Sequence, residues 1–293
     1  MIFIFTACYI RGVNLVTFTT DFGISDPYVG EVKGVVDAIS PDTRIIDITH
    51  DVEQGNVLQA SFLLTGSYRY FADHALHLVV VDPGVGTGRD IIIVQTTRYT
   101  FIGPDNGVLY AAVHGDGVEA IFTLDADRLY GELRSRFFGN GVVSRILESG
   151  TSSTFHGRDL FAPLTAYLSS GFPVSNVGRP REGIMELRLP EPVVEEGSVI
   201  GRVMYIDRFG NIISNIHRHL LGTDGEVFIK IKNKLIHVGR IVKTYADVEA
   251  GTPAALISSR NTLEIAVNSG NAGKHYGTVA GDEILVKRGK GDR

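Results

Sequence analysis

Through its first two-thirds the chain alternates short apolar, β-branched runs with longer stretches of helical period. Residues 15–19 form the first such run. Asp26-Pro27 then opens a helix, Asp26 suiting the cap and Pro27 the first turn, with Val29, Val32, Val36 and Ile39 on one face. Residues 44–49 predict the next strand and 57–71 the next helix, and strands follow over 76–81, 91–96 and 99–102. Gly103-Pro-Asp-Asn-Gly107 turns into a short helical segment around 108–113, and 120–124 is another strand. A helix over 159–168 would bury Leu160, Phe161, Leu164 and Leu168. This alternation predicts an α/β domain whose central sheet is flanked by helices.

From 171 to 197 the periodicity dissolves into a stretch holding four of the ten prolines, Pro173, Pro180, Pro190 and Pro192, the texture of a linker. Beyond it the pattern predicts only short strands, over 198–206, 211–216, 226–231, 234–238, 263–267 and 283–287, with no amphipathic helix between them. That spacing reads as a small all-β barrel or sandwich. The expected organisation is an α/β domain over residues 14–180 and a β-barrel domain over 196–293. Residues 1–14 begin apolar but are too short to span a bilayer and lack the basic start of a signal peptide, so they read as an extension before the first core strand.

Composition narrows the partners. A chain of 293 residues, 44% hydrophobic and 21% charged, has enough apolar material for two cores, which argues against disorder. A net charge of -5 without a long Lys/Arg run gives no electrostatic reason to expect nucleic acid or an anionic membrane, leaving a small molecule as the default ligand. Cys8 is the single cysteine; it excludes an intramolecular disulfide and a cysteine zinc site, and suits a reducing cytoplasm.

The chemistry concentrates in turns. Asp82-Pro-Gly-Val-Gly-Thr-Gly-Arg89 carries an acid and a base at the ends of a segment whose glycines and proline stop any regular element, between two apolar strands. The charges are therefore expected at a sheet edge, facing whatever binds there. Asp21, Asp26, Asp105, Asn106 and His156 also fall at predicted strand ends or loops, where open α/β sheets bind ligands. Asp21 suits a ribose diol, although an isolated turn aspartate more often closes its own turn. Asp26 is locally a helix cap, Asp105-Asn106-Gly107 is first a turn signature, and a lone loop histidine such as His156 is usually solvated. In Asp207-Arg-Phe-Gly-Asn211 hairpin geometry explains Gly210 and Asn211, but Phe209 would be exposed unless a flat partner covers it.

Taken together and in order, Thr19-Thr-Asp-Phe-Gly23, Asp26-x-Tyr-Val-Gly30, Val81-Asp-Pro-Gly-Val-Gly86 with Arg89, Gly103-Pro-Asp-Asn-Gly107, Thr154-Phe-His-Gly-Arg-Asp159, Asp207-x-Phe-Gly-Asn211 and Leu263-Glu-Ile-Ala-Val-Asn268 resemble a known family. It is the S-adenosylmethionine hydroxide adenosyltransferases, the hydrolase branch of the fluorinase and chlorinase superfamily. The resemblance implies an α/β first domain, a β-barrel second domain and a homotrimer in which one subunit's first domain meets its neighbour's barrel at the active site. It implies that Asp82, Arg89 and His156 are catalytic and line the water pocket, and that Asp21 holds the ribose hydroxyls. Asp26, Asp207, Ser259 and Arg260 match positions binding the methionine end, with Ser258 a one-residue alternative in register. Asn211 matches an adenine contact, Phe209 helps wall that base, and Asn106 joins the substrate-binding set. Tyr28 stands where the halogenases carry a small hydroxyl residue.

The implied reaction is hydrolysis of S-adenosyl-L-methionine to adenosine and L-methionine by in-line attack of activated water at the ribose 5′ carbon. S-adenosylmethionine is the substrate, with no cofactor and no metal, because a neutral thioether leaves without developing charge. Arg89 cannot be a base but can favour hydroxide character, with Asp82 as its activating partner and His156 as orienter or proton relay. The rival within the superfamily is a chlorinase or fluorinase, which the charged trio argues against. A non-catalytic adenosine or S-adenosylmethionine sensor is the rival from another class. A metal-dependent phosphohydrolase built on the scattered aspartates is disfavoured because no Asp-x-His pair occurs at ligand spacing and His217-Arg-His219 is the one His-x-His pair.

Overall fold

The computed structural model describes residues 15–221, 226–231 and 234–287, so the apolar extension over 1–14 lies outside the described residues. Between Leu189 and Pro190 the chain divides into two units. The first is built on the strands β1 (Leu15–Thr20), β2 (Arg44–Thr49), β3 (Leu76–Val80), β4 (Ile91–Thr96), β5 (Thr100–Pro104), β6 (Val118–Leu124) and β7 (Gly178–Pro180), arranged β2-β1-β3-β5-β4-β6-β7. Strands β2, β1, β3 and β5 run parallel, whereas β4 lies antiparallel to β5 and β6, and β7 antiparallel to β6. Every residue of β3 is buried, which is why its sequence is a continuous apolar run and not an alternating one.

Six helices accompany this sheet: α1 (Tyr28–Ile39), α2 (Val57–Thr65), α3 (Tyr110–Asp116), α4 (Ala126–Arg136), α5 (Gly141–Ser149) and α6 (Ala162–Ser169). Helices α1, α4, α5 and α6 pack together, and α2 packs on α3. Val32, Val36 and Ile39 of α1 join Leu164 and Leu168 of α6 in one core with Val16, Phe18, Leu78 and Val80 of the sheet. Each such fully buried side chain contributes roughly 1.5–3 kcal/mol. On alternate positions β1 turns Thr17 away from Val16 and Phe18, where it faces its register partner His77 and shares a 2.7 Å hydrogen bond with it. Because α1 carries the chain from β1 outward to β2 and α2 returns it past β1 to β3, the carboxyl ends of β1 and β3 flank a topological switch point. Asp21 and Asp82 lie just beyond those two ends.

Several elements differ from the sequence expectation. Asp26 does not cap α1: Pro27 is already helical, at φ -73 and ψ -5, and no side chain caps the end, which leaves Asp26 in an exposed loop. The helix expected to reach 71 stops at Thr65, where Gly66 follows, and 68–70 form a separate 3-10 turn. Helices α4 and α5 fall where the pattern predicts no element. Helix α4 is polar along most of its length and buries only Leu129 and Leu133, whereas α5 carries Val142, Val143, Ile146 and Leu147 at helical spacing, a signal the expectation left out; Asp125 and Asn140 cap the two helices. Strand β7 lies inside the stretch that reads as linker. The helix expected over 159–168 opens as a π turn, Gly157–Phe161, before α6. Asp82 and Arg89 flank the carboxyl end of a central strand, not a sheet edge.

The second unit is an antiparallel sheet of β8 (Val193–Glu195), β9 (Ser198–Ile206), β10 (Ile212–His217), β11 (Glu226–Ile231), β12 (Lys234–Arg240), β13 (Pro253–Ile257), β14 (Thr262–Val267) and β15 (Glu283–Lys287). Its order is β12-β11-β15-β9-β10-β14-β13, with β8 beside β9, and a bridge from Ile241 to Ala255 brings the two ends together into a nearly closed barrel. Val199, Val203, Ile212, Val227, Leu263, Ile265 and Ile284 fill it. Strand β13 escaped the sequence reading because it begins at a proline and relies on small alanines. Helix α7 (Ala272–Tyr276) escaped because it is only five residues long, started by the Asn271 side chain accepting from Lys274 N–H at 2.8 Å.

His77 yields a stability prediction. Burial pushes its imidazole down to about 3, while the unfolded chain takes up a proton near the ordinary 6.5. Below the unfolded value only the unfolded state is protonated, so stability is full above about pH 6.5 and falls by roughly 1.4 kcal/mol per pH unit as acid drives unfolding, until about pH 3. The paired change Thr17→Val with His77→Phe is expected to make the unfolding free energy, measured in urea between about pH 4 and 6, shallower in pH by one proton.

Candidate active site

The loop between β3 and β4 folds back on itself so that its last residue returns to its first. Val85 N–H bonds the Asp82 carbonyl at 3.2 Å, Thr87 N–H bonds the Gly84 carbonyl at 3.1 Å, and the Thr87 hydroxyl donates to the same carbonyl at 2.6 Å. Arg89 thereby lies over Asp82 and donates to Oδ2 from Nε at 2.8 Å and, more closely, from Nη2. The side chains are 5% and 11% exposed, so this ion pair is largely shielded from water. The Phe161 ring lies beside it, its centroid 5.7 Å from the guanidinium carbon.

A second loop brings His156 to the same place. Gly86, at φ +77, accommodates the Ser153 carbonyl oxygen where a Cβ would overlap it, and this close approach of backbones seats the 151–156 segment on the Asp82 loop. Arg89 Nη2 lies 2.8 Å from His156 Nδ1. A guanidinium has only donors, so Nδ1 is the acceptor, and the neutral imidazole carries its proton on Nε2. Burial lowers the affinity of His156 for a second proton, the Arg89 charge lowers it further, and Asp82 and Asp159 oppose both. Asp82 Oδ1 is buried and has no hydrogen-bond partner among the described residues. The trio therefore presents one unused carboxylate oxygen and one imidazole N–H.

Asp21, at the end of the neighbouring strand β1, lies close enough to Asp82 for the two charges to act on each other. Its Oδ2 accepts from Gly55 N–H at 2.8 Å, and its carboxyl is raised above the ordinary range mainly by burial, with the negative charge of Asp82 adding to the effect and the Gly55 N–H opposing it. Phe22, Tyr28 and Phe155 meet edge to face beside it, with centroids 5.0–6.1 Å apart. Nothing in the local sequence marks Phe22 and Phe155 as carriers of the site, although they stand within Thr19–Gly23 and Thr154–Asp159. Asn106 spends its amide within the fold, donating to the Val81 carbonyl at 2.9 Å and accepting from Val108 N–H at 3.1 Å.

The remaining expected residues belong to the second unit. Asp207 Oδ1 accepts from the N–H groups of Phe209 and Asn211 at 2.9 and 2.8 Å, and Oδ2 accepts from Asn211 Nδ2 at 3.2 Å, closing the β9–β10 turn. Phe209 projects from that turn 78% exposed. Ser259 and Arg260 occupy the β13–β14 turn, where the Ser258 hydroxyl accepts from Arg260 N–H at 3.2 Å and Ser259 lines a cleft with Arg218 and Lys243. Among the described residues no three His, Cys, Asp or Glu side chains cluster as a metal-ligand set.

Comparison with known proteins adds a context to this geometry. Residues 16–178 match the SAM hydroxide adenosyltransferase N-terminal domain, and residues 201–285 match the corresponding C-terminal domain. An (R)-S-adenosyl-L-methionine hydrolase of Salinispora tropica is 34% identical over 280 residues, covering 94% of this chain and 98% of that one. A fluorinase of Nocardia brasiliensis is more distant, 24% identical over 308 residues, with 94% and 97% covered. The crystal structure of an uncharacterized conserved protein from Thermotoga maritima superposes with a TM-score of 0.81 at 36% identity, covering 93% of this chain and all of that one.

The contacts of His156 set an expectation for its titration. In nitrogen-15 NMR spectra the neutral ring is expected as the Nε2–H tautomer with a midpoint below 6.5, and Arg89→Gln is expected to raise that midpoint by removing the adjacent positive charge. An unchanged midpoint would show that Arg89 does not act on the imidazole.

Proposed function

The chain belongs to the SAM hydroxide adenosyltransferase family, and from that premise we propose that it hydrolyses S-adenosyl-L-methionine to adenosine and L-methionine, with Asp82, Arg89 and His156 acting on the attacking water. The observation that carries the reading is the unused Oδ1 of Asp82, buried beside a donor-only guanidinium and a neutral imidazole whose free proton is on Nε2. Water held between these groups donates to Oδ1 and accepts from Nε2–H. Its oxygen attacks C5′ as the C5′–S bond breaks, the electron pair of that bond leaves on sulfur as a neutral thioether, and the water proton passes to Asp82 and then to solvent.

No general acid is needed at the leaving group, because sulfonium becomes sulfide without taking a proton. What the protein supplies is alignment and reduced solvation of the nucleophile, effects that can each lower a barrier by several kcal/mol, on the order of 7 for orientation alone. Arg89 stays charged throughout and favours hydroxide character on the water. Holding the Arg89–Asp82 pair out of bulk solvent makes that field stronger than it would be at the surface.

The reading assigns Asp21 to the ribose diol, Asp26 to the methionine end and Asn106 to the wall of the pocket. A homotrimer then lets a neighbouring subunit supply Asp207, Ser259 and Arg260 to the methionine end and Asn211 and Phe209 to adenine. The exposure of Phe209 supports this, since a bare aromatic at a turn tip suits covering by a flat base. S-adenosylmethionine is the substrate and no cofactor takes part. Among the described residues no helix is long and apolar enough to cross a membrane. We place the protein in the cytoplasm, where a chain with one cysteine faces no demand for disulfides.

Incubation with S-adenosylmethionine in oxygen-18 water is expected to give adenosine labelled at the 5′ hydroxyl and unlabelled methionine, read by mass spectrometry. A 5′-halo-5′-deoxyadenosine formed in halide buffer would convert the assignment to halogenase, and bound but unchanged substrate would convert it to a sensor. Asp82→Asn keeps the shape of the side chain and removes its basicity; kcat is expected to drop about 10²–10⁴-fold with substrate affinity nearly unchanged. Wild-type turnover in that variant would remove Asp82 from the mechanism.

A further inference from the structure

Asp159 is a carboxylate that the hydrolytic reading does not use, yet it is only 2% exposed. Burying such a group is costly unless it is paired and fully hydrogen-bonded, and an apolar residue in its place is often no less stable. Its side-chain contacts lie on the segment that carries His156. Oδ2 accepts from Ser152 N–H at 2.9 Å, and Oδ1 accepts from Arg158 Nε at 2.7 Å. The Asp159 N–H donates to the Phe155 carbonyl at 3.2 Å, and its own carbonyl accepts from the Tyr130 hydroxyl at 3.3 Å. The side chain thus ties residue 159 back to residue 152 and closes a ring in which His156 stands at the far side.

The same carboxylate holds a second arm. Arg158 reaches from Asp159 to Glu31 of α1, at 3.0 Å, and its guanidinium carbon sits 5.3 Å from the centroid of Phe155. Phe155 in turn packs on Phe22 and Tyr28, and Gly157 fits where a Cβ would stand 3.0 Å from Phe155 and 3.2 Å from Phe22. Both chain neighbours of His156 are therefore fixed, one by an aromatic cluster under Arg158 and the other by the start of a π turn, a rare element common at functional sites. The geometry points to Asp159, with Arg158 and Glu31, as a positioning device that sets the orientation and charge environment of His156 toward Arg89. This inference rests on the hydrolase reading for its consequence in turnover, and on the fold alone for its consequence at the imidazole.

Three charged groups act on the His156 ring: Arg89 and Asp82 from the β3–β4 loop, and Asp159 from its own turn. Arg89 disfavours protonation and the two carboxylates favour it. Asp159→Asn keeps an oxygen for Ser152 N–H but removes the charge and weakens the hold on Arg158. The expected result is a loss in kcat of about 10- to 100-fold, the scale of a small misplacement, with KM for S-adenosylmethionine nearly unchanged. The nitrogen-15 NMR titration midpoint of His156 is expected to move below that of the wild-type chain, and the acid limb of the kcat profile to move down with it. Arg158→Lys, which can keep a pair with Glu31, is expected to retain more activity than Arg158→Gln.

A purely structural Asp159 would leave the His156 midpoint and the acid limb where they are, and either result, or wild-type kcat in Asp159→Asn, overturns the inference. Should Asp159→Asn fail to fold, Arg158→Gln decides in its place through kcat and through the chemical shift of the His156 ring, since that side chain is partly exposed; wild-type values of both would overturn the inference. Should the wild-type protein leave S-adenosylmethionine intact, the hydrolase reading fails while the imidazole titration still decides the role of Asp159.

Discussion

A single guanidinium joins the two loops of the site. Arg89 has donors and no acceptor, so every group it touches must accept, and that requirement dictates the state of both neighbours. Oδ2 of Asp82 is consumed, which leaves the buried Oδ1 as its oxygen without a hydrogen-bond partner among the described residues. The Nδ1 of His156 is consumed, which leaves an N–H at Nε2. An acceptor and a donor thus emerge from one geometric constraint.

The constraint holds because the backbone delivers the three residues to one place. Asp82 and Arg89 come from the ends of a loop broken by glycines and proline, after a strand buried along its whole length. His156 comes from a segment 67 residues beyond Arg89, and it arrives only because Gly86 lets the Ser153 carbonyl approach. A Cβ at that glycine would push the loops apart. Asp21 joins from β1, whose place beside β3 follows from the α/β crossover that puts β1 and β3 on either side of the switch point.

Burial makes this arrangement both effective and fragile. The Asp82–Arg89 pair sits in a low-dielectric setting where each charge needs the other, so truncating either leaves an uncompensated ion at a cost of about 3–5 kcal/mol. The same setting makes His156 a weaker base than a free imidazole. Asp159 lies a turn away under the same rule, with both oxygens engaged. Charge is thus spent on fixing positions in a region whose surroundings, Phe22, Phe155 and Phe161, are aromatic.

Local pattern determined a great deal: the strands of the first sheet through β6, most strands of the second unit, and the breakers that make the Asp82 loop a loop all follow from periodicity and from residues that cannot continue an element. The ordered motifs also indicated which polar residues to watch. Helix α4 stayed hidden because few apolar positions mark it and its place rests on packing against α5 and α6, whereas α5 carries a legible helical period in Val142, Val143, Ile146 and Leu147. Asp26 shows the same limit from the other side, since its fit to a cap was overridden by a backbone already helical at Pro27. Which oxygen of Asp82 is unused, which nitrogen of His156 carries the proton, and that Asp159 is buried were decided by the tertiary structure alone. A side chain's charge state and hydrogen bonds depend on the groups around it in space, and here those groups come from segments that no local pattern links.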